Sequence, residues 1–281
     1  MLKKDEFVHK KMNVIILLSL VKYYKKFIGK EVALAELEEI AALITARYRN
    51  DGYILTQVVV PSQTIKNGIV HLRVIEGYID KIIIEGDIRG SKGLLRAYAN
   101  KFAESRPLNS KVLERYLLLM RDLPGVNVRS VLQPSKEKSG AANLHIAVEH
   151  EVVKSFASFD NRGSRYIGPY QIGLGTRLNS VLGAYERTGV RVLTATQFKE
   201  LRFLELTHED QLGSEGTILK TKATLTRSNI GFDLSDLGIV SRNLNLGARV
   251  SHPFIRSRTN NLSAALAFDY EHRSQRFKQN F

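Results

Sequence analysis

The 281-residue chain carries 43% hydrophobic residues, enough for a buried core, and a formal net charge of +14; its length suggests about two domains. It has no cysteine, which excludes disulfides, thiolate metal sites and cysteine nucleophiles. No run of about 18 apolar residues occurs, so an ordinary transmembrane helix is excluded and any membrane span must be built of strands.

From the N-terminus, the apolar run Met12 to Val21 follows Lys10 and Lys11, but Lys22-Tyr23-Tyr24-Lys25-Lys26 stands where a signal-peptide cleavage site would be. It is read as the buried face of a first helix. Leu34, Leu37, Ile40, Ala41, Ile44 and Tyr48 recur every three or four residues and predict a helix over Ala33 to Asn50, with Gly52 as its left-handed cap. Tyr53 to Val60 and Ile69 to Ile75 read as strands separated by Pro61 and a polar stretch to Gly68. A second copy of this order opens with Ile82 to Ile84 as a strand. Helices over Leu94 to Phe102 and from Asn109 or Ser110 to Arg121 follow, the latter burying Val112, Leu113, Tyr116, Leu117 and Met120. Strands over Val126 to Leu132 and Leu144 to Val148, around the polar turn Lys136 to Gly140, complete the unit. The expected module is strand-helix-helix-strand-strand, with two helices on one face of a small sheet.

After about Val152 the helical period disappears. In Val240 to Val250, Leu244, Leu246, Ala248 and Val250 alternate with Ser241, Asn243, Asn245, Gly247 and Arg249. Asn261 to Tyr270 and Gln171 to Asn179 repeat the pattern, and Lys199, Glu200 and Arg202 interrupt Thr188 to Thr207 as a hairpin would. A soluble antiparallel sandwich shares this alternation. Runs near the length of a tilted membrane strand, the short turn Gly213-Ser214-Glu215-Gly216, and Phe268 and Tyr270 near a strand end as an interfacial girdle favour a transmembrane barrel.

Several motifs resemble the family of two-partner secretion transporters, also called haemolysin activation or secretion proteins. The first module resembles the family's POTRA domain through Gly52-Tyr53-Ile54, Pro61-Ser62-Gln63, Gly68 and Val74-Ile75-Glu76-Gly77. The second is similar through Arg106-Pro107-Leu108, Leu113-Glu114-Arg115 and Asp122-Leu123-Pro124-Gly125-Val126. The strand region is similar through Asp160-Asn161-Arg162-Gly163-Ser164-Arg165-Tyr166, Gly168-Pro169-Tyr170-Gln171, and His252-Pro253-Phe254-Ile255-Arg256-Ser257-Arg258 with Asn261-Leu262. The resemblance implies α+β POTRA modules over residues 1–79 and 80–151, then the first part of an antiparallel transmembrane β-barrel, about seven strands, over 152–281. The family's Val-Arg-Gly-Tyr/Phe pore-loop motif occurs nowhere in the sequence, and the first module lacks a convincing opening strand. A chain truncated at both ends is therefore expected.

By the same resemblance the chain is expected in the outer membrane of a Gram-negative bacterium with its POTRA modules in the periplasm. It would bind a secreted exoprotein client of haemolysin or adhesin type and contact outer-membrane lipid. An exposed edge strand can take up an extended client through unpaired backbone groups. Family topology makes that edge the penultimate strand of each module, so the expected client-binding residues are Tyr53, Leu55, Gln57 and Val59, and Val126, Val128 and Ser130. Arg177, Asn243, Asn245, Arg249 and Asp269 are the expected lumen-lining residues, with simple solvation of one sheet face as the competing reading.

Basic residues are spread along the chain without a like-charge block, which disfavours nucleic acid as a partner. No His-Glu-x-x-His, Gly-x-Ser-x-Gly or Walker motif occurs, and Glu209-Asp210 reads as a solvated pair beside a turn. No catalysis, metal, cofactor or small-molecule substrate is therefore expected. The alternatives are a barrel-assembly insertase of the same superfamily and a soluble POTRA client-binding remnant without transport activity.

Overall fold

A computed structural model describes residues 20–277, and the predicted helix over Met12 to Val21 lies largely outside them. Within the described residues, 20–24 are helical and Leu20 is buried. The chain divides into two compact units. One comprises the residues up to Ile84 with Ala99–Glu114 and Ser130–Ile146; the other comprises Glu85–Tyr98, Arg115–Arg129 and the chain from Ala147 onward.

In the first unit, helix α1 (Leu34–Asn50) buries Leu37, Ile40, Ala41, Ile44 and Tyr48, the 3.6-residue stripe expected of one face. Leu34, predicted on that face, is instead 62% exposed, because it is the first residue of the helix and lies beyond the packed stripe. The Glu36 carboxylate accepts a hydrogen bond from Ala33 N at 2.8 Å and satisfies one of the helix's free N-terminal donors. Gly52 follows with φ +98°, a conformation that costs a residue with Cβ about 1 kcal/mol.

The predicted strand over Tyr53 to Val60 contracts to β1 (Gln57–Val59), which pairs antiparallel with β2 (Arg73–Ile75) in a two-stranded sheet. Tyr53 to Thr56 form a turn closed by Thr56 N donating to Tyr53 O. Their β-branched and aromatic composition reads as strand, but Leu55 packs its backbone against Gly77, where a Cβ would meet the Leu55 carbonyl oxygen at 2.5 Å. Tertiary contact overrides local propensity there. Val58 joins Leu20 and the α1 stripe in a core against which Tyr53, Val60, Val70, Leu72 and Val74 also pack.

Further along run β3 (Tyr78–Gly86), α2 (Lys92–Glu104), α3 (Ser110–Asp122), β4 (Val126–Pro134) and β5 (Ala141–His150). The three strands form a sheet of order β3-β5-β4, so β4 is an edge. Asn109 caps α3, its Oδ1 accepting from Lys111 N at 2.9 Å. Besides Leu113, Tyr116 and Met120, α3 buries Leu118 and Leu119, while the predicted Val112 and Leu117 are half-buried. Leu119 is covered because it packs at Gly216, a contact outside the helix's own module that no periodicity encodes.

The second unit is dominated by a seven-stranded antiparallel meander: β6 (Val153–Asp160), β7 (Gln171–Asn179), β8 (Arg187–Ala195), β9 (Leu201–Leu212), β10 (Thr217–Asn229), β11 (Val240–Arg256) and β12 (Asn261–Arg276). Each strand pairs with its sequence neighbour, and the sheet ends at β6 and β12 without closing. Phe268 and Tyr270 lie in mid-strand, not near a strand end as expected for a girdle, because β12 continues to Arg276.

Candidate functional site: an open strand edge and a two-faced sheet

The α1 residues Ala42, Thr45, Ala46, Arg49 and Asn50 and the β1 residues Gln57, Val58 and Val59 line a groove of about 390 Å³. Thr45 is the polar link across it. Its hydroxyl donates to Ala41 O at 2.8 Å and accepts from Val58 N at 2.9 Å. The Val58 N–H thus points away from β2, into the groove, and is occupied by a side chain instead of a strand. Tyr48, buried in the α1 core and edge-on to Tyr53 at 6.2 Å, has its phenol pushed up to about 12 by burial and by the charge of Glu76.

A second cleft of about 290 Å³ in the same unit is lined by Ile54, Leu55, Gln57 and Ile75 on one side and by Leu132, Gln133 and residues 138–142 on the other. Lys138 Nζ bonds the Asp80 carboxylate at 2.8 Å, and that bond holds the Asp80 carboxyl below its ordinary range. Of the expected client-binding residues, Gln57 and Val59 line the groove, and Leu55 and Gln57 line the second cleft. Tyr53 is half-buried and Tyr53 and Leu55 lie outside β1. Val126, Val128 and Ser130 stand on the edge strand β4, with Val126 buried, Val128 half-buried and Ser130 exposed.

In the sheet, side chains paired directly across antiparallel strands share a face. One face runs through Lys154, Arg177, Gly189, Thr207, Lys222, Gly247 and Asp269, which the registers align in a single row from β6 to β12. The neighbouring rows on that face hold Arg191, Glu205, Thr224, Asn245 and Glu271, and Glu209, Lys220 and Arg249. All five expected lumen residues therefore fall on one polar face. Arg177 lines a hollow of about 110 Å³ with Arg191, Glu205 and Thr207. Some charges on this face are paired: Lys220 with Glu209 at 2.8 Å and Arg273 with Glu271 at 2.7 Å, and Asn243 Nδ2 donates to Glu271 at 3.0 Å. Gly173 and Gly175 also lie on this face, and the Phe156 ring covers Gly175 so closely that a Cβ there would stand 2.5 Å away.

The opposite face carries Leu174, Val190, Val192, Leu204, Leu206, Leu225, Leu244, Leu246, Val250, Leu266, Phe268 and Tyr270, and the large side chains of β12 are exposed, Leu266 at 80% and Phe268 at 70%. Such a wide exposed apolar face exceeds what a water-facing surface ordinarily carries.

A third feature joins α3 to the turn at Glu215 and to the end of β11. Arg256 forms a two-point ion pair with Asp122, Nε to Oδ2 at 2.6 Å and Nη2 to Oδ1 at 2.8 Å. Arg115 donates to the carbonyls of Pro253 and Phe254 at 3.1 and 3.2 Å, and the Tyr116 hydroxyl donates to the Glu215 carboxylate at 2.9 Å. Arg115, Asp122 and Arg256 stood inside the motifs read above, but pairing over more than a hundred residues leaves no local pattern. Among the described residues no group of three His, Cys, Asp or Glu residues is disposed to hold a metal ion, and no helix is long and apolar enough to cross a membrane.

Residues 7–77 match the family model of the ShlB-type POTRA domain. The heme/hemopexin transporter protein HuxB of Haemophilus influenzae strain 86-028NP is 29% identical over 258 residues, covering 88% of this chain and 44% of its own. HuxB of strain ATCC 51907 is 26% identical over 96% of this chain and 48% of its own. This chain thus spans about half the length of these curated relatives. Among solved structures, CdiB from Escherichia coli superposes with a TM-score of 0.74 at 16% identity over 99% of this chain and 52% of its own. BamA from Haemophilus ducreyi lacking POTRA domains 1-3 gives a TM-score of 0.54 at 16% identity over 92% of this chain and 49% of its own. The fold is that of a POTRA domain followed by part of an outer-membrane barrel.

Proposed function

We propose that this chain is a transporter of the two-partner secretion family that takes up an unfolded secreted protein at its POTRA edges and passes it along the polar face of its sheet through the outer membrane. The carrying observation is the two-faced sheet: over seven strands in register, most charged residues share one face and most large aliphatic residues the other, the chief exception being a row of arginines at one end of the apolar face. An apolar face facing lipid and a polar face lining a conduit is the pattern of a membrane barrel. We place the domain boundaries at residues 79/80, between the two copies of the module, and at 151/152, where the helical period ends. The POTRA domains then lie in the periplasm, and transport needs neither nucleotide hydrolysis nor another catalysed step.

The client is an exoprotein of haemolysin or adhesin type, engaged as an added strand at β1 and β4 with its side chains in the α1 groove. Gln57, Val59, Val126, Val128 and Ser130 carry that contact, and Arg177, Asn243, Asn245, Arg249 and Asp269 line the conduit. The likeness in sequence to the heme/hemopexin transporter proteins HuxB favours transport over barrel insertion. Fractionation of expressing cells tests the reading. Recovery in the outer membrane, with heat-modifiable gel mobility and the segment after Val152 shielded from protease, supports it. Recovery as a soluble or aggregated POTRA fragment leaves only the remnant reading.

A further inference from the structure

On the apolar face, Arg202 of β9 stands directly opposite Arg227 of β10, which stands directly opposite Arg242 of β11. Like charges directly across strands repel, so such a row is unfavourable by itself. All three side chains are exposed. Among the described residues none is ion-paired; the one bond they make with a named partner is Arg202 Nε to the Phe198 carbonyl at 3.0 Å. On the polar face, Lys220 is matched with Glu209 and Arg273 with Glu271.

The next row along the strands is Val192, Leu204, Leu225 and Leu244, and these residues and the arginines line one concavity of about 770 Å³. Cationic heads one row beyond an aliphatic floor match a molecule whose anionic groups sit beside its acyl chains. Guanidinium groups bind phosphate oxygens in two-point geometry. The row lies at the sheet end that leads into residues 196–200 and 230–239. The turn at residues 213–216 and the end of β11 at Pro253 to Arg256, which touch α3, are at the other end.

We propose that Arg202, Arg227 and Arg242 bind the phosphates of a phosphorylated glycolipid of the outer leaflet, lipid A in chemical class, with its acyl chains on Leu204, Leu225 and Leu244. This rests on the sheet being a membrane span with its POTRA end in the periplasm, which puts the arginine row at the outer interface, where charges on the lipid face cost least.

The full chain is reconstituted in phosphatidylcholine vesicles with lipid A, or with lipid A stripped of its phosphates, and the lipid retained after detergent extraction is measured. The R202Q/R227Q/R242Q variant is expected to retain lipid A about tenfold more weakly, the loss expected from removing charge-assisted hydrogen bonds. Dephosphorylated lipid is expected to be retained equally poorly by both chains, and excess inorganic phosphate is expected not to displace lipid A. The K154Q/R191Q/K222Q variant removes the same charge from the polar face and is expected to bind as the unaltered chain does. R202K/R227K/R242K keeps the charge and is expected to recover part of the retention, which separates loss of the site from loss of the fold. Equal losses in the two glutamine variants, or full displacement by inorganic phosphate, would overturn the lipid site while leaving the membrane span intact. A chain that floats with none of the vesicles defeats the membrane reading itself, and the site with it.

Discussion

Glu186 is 1% exposed, yet its carboxylate is fully engaged, accepting the backbone N–H of Leu182 at 2.6 Å and of Ala184 at 3.0 Å. Burial opposes its ionisation, but these backbone donors outweigh burial and hold the carboxyl below its ordinary range. A depressed folded pKa adds stability that is present above the unfolded value and is lost as pH falls through the folded one. Glu186→Gln keeps one acceptor oxygen and loses the charge. It is expected to cost about 1–3 kcal/mol at pH 7. The gap to the unaltered chain should narrow as the solution is acidified below the carboxylate range. Urea unfolding curves at pH 7 and pH 3 measure both, and a gap that stays constant with pH excludes the ionised clamp. The Asp122–Arg256 pair is partly exposed, so its two-point geometry is worth about 1 kcal/mol. A double-mutant cycle of Asp122→Asn and Arg256→Gln should return a coupling of that order, and additive effects would show that the pair contributes nothing.

At the scale of elements, β1 is an edge strand whose free donor is covered from within. A client strand pairing there must displace the Thr45 hydroxyl from Val58 N. Thr45→Val keeps the shape and removes that competitor. It should destabilise the first module by about 1 kcal/mol, the net worth of a hydrogen bond, while strengthening capture of an extended peptide. Thermal melting and peptide binding measure the two effects, and weaker capture by Thr45→Val would show that Thr45 assists the client instead of competing with it. Val58→Pro removes the donor outright and should abolish strand addition at β1. Element type was legible in the sequence because α1 and α3 carry clear helical stripes and the later strands alternate cleanly. Element length was not. Tyr53 to Thr56 have strand-like residues but are bent into a turn against Gly77, and β11 and β12 run past the alternation that revealed them, since Ser251 to Arg256 pair with Asn261 to Ala265 and Glu271 to Arg276 pair with Val240 to Asn245.

Across the whole molecule, the sheet has edges at β6 and β12, and β12 presents Leu262, Leu266, Phe268 and Tyr270 on a strand whose outer backbone groups have no partner strand among the described residues. Long apolar edges pair with other chains. In detergent this chain is expected to self-associate, and Leu266→Lys with Phe268→Lys is expected to shift it toward the monomer in sedimentation; an unaltered chain that sediments as a monomer would count against an available edge. Charge spread, absence of cysteine, helical stripes and strand alternation were written in the sequence, and they sufficed to place Arg177, Asn243, Asn245, Arg249 and Asp269 on one polar face, since a period of two is a local property. Which residues meet was not. The arginine row of Arg202, Arg227 and Arg242 exists because register aligns three strands, and the Asp122–Arg256 pair exists because the end of β11 returns to α3 after more than a hundred residues. Periodicity is set by backbone geometry within a few residues, whereas register and long-range pairing are set by packing between segments, and only the tertiary structure decides them.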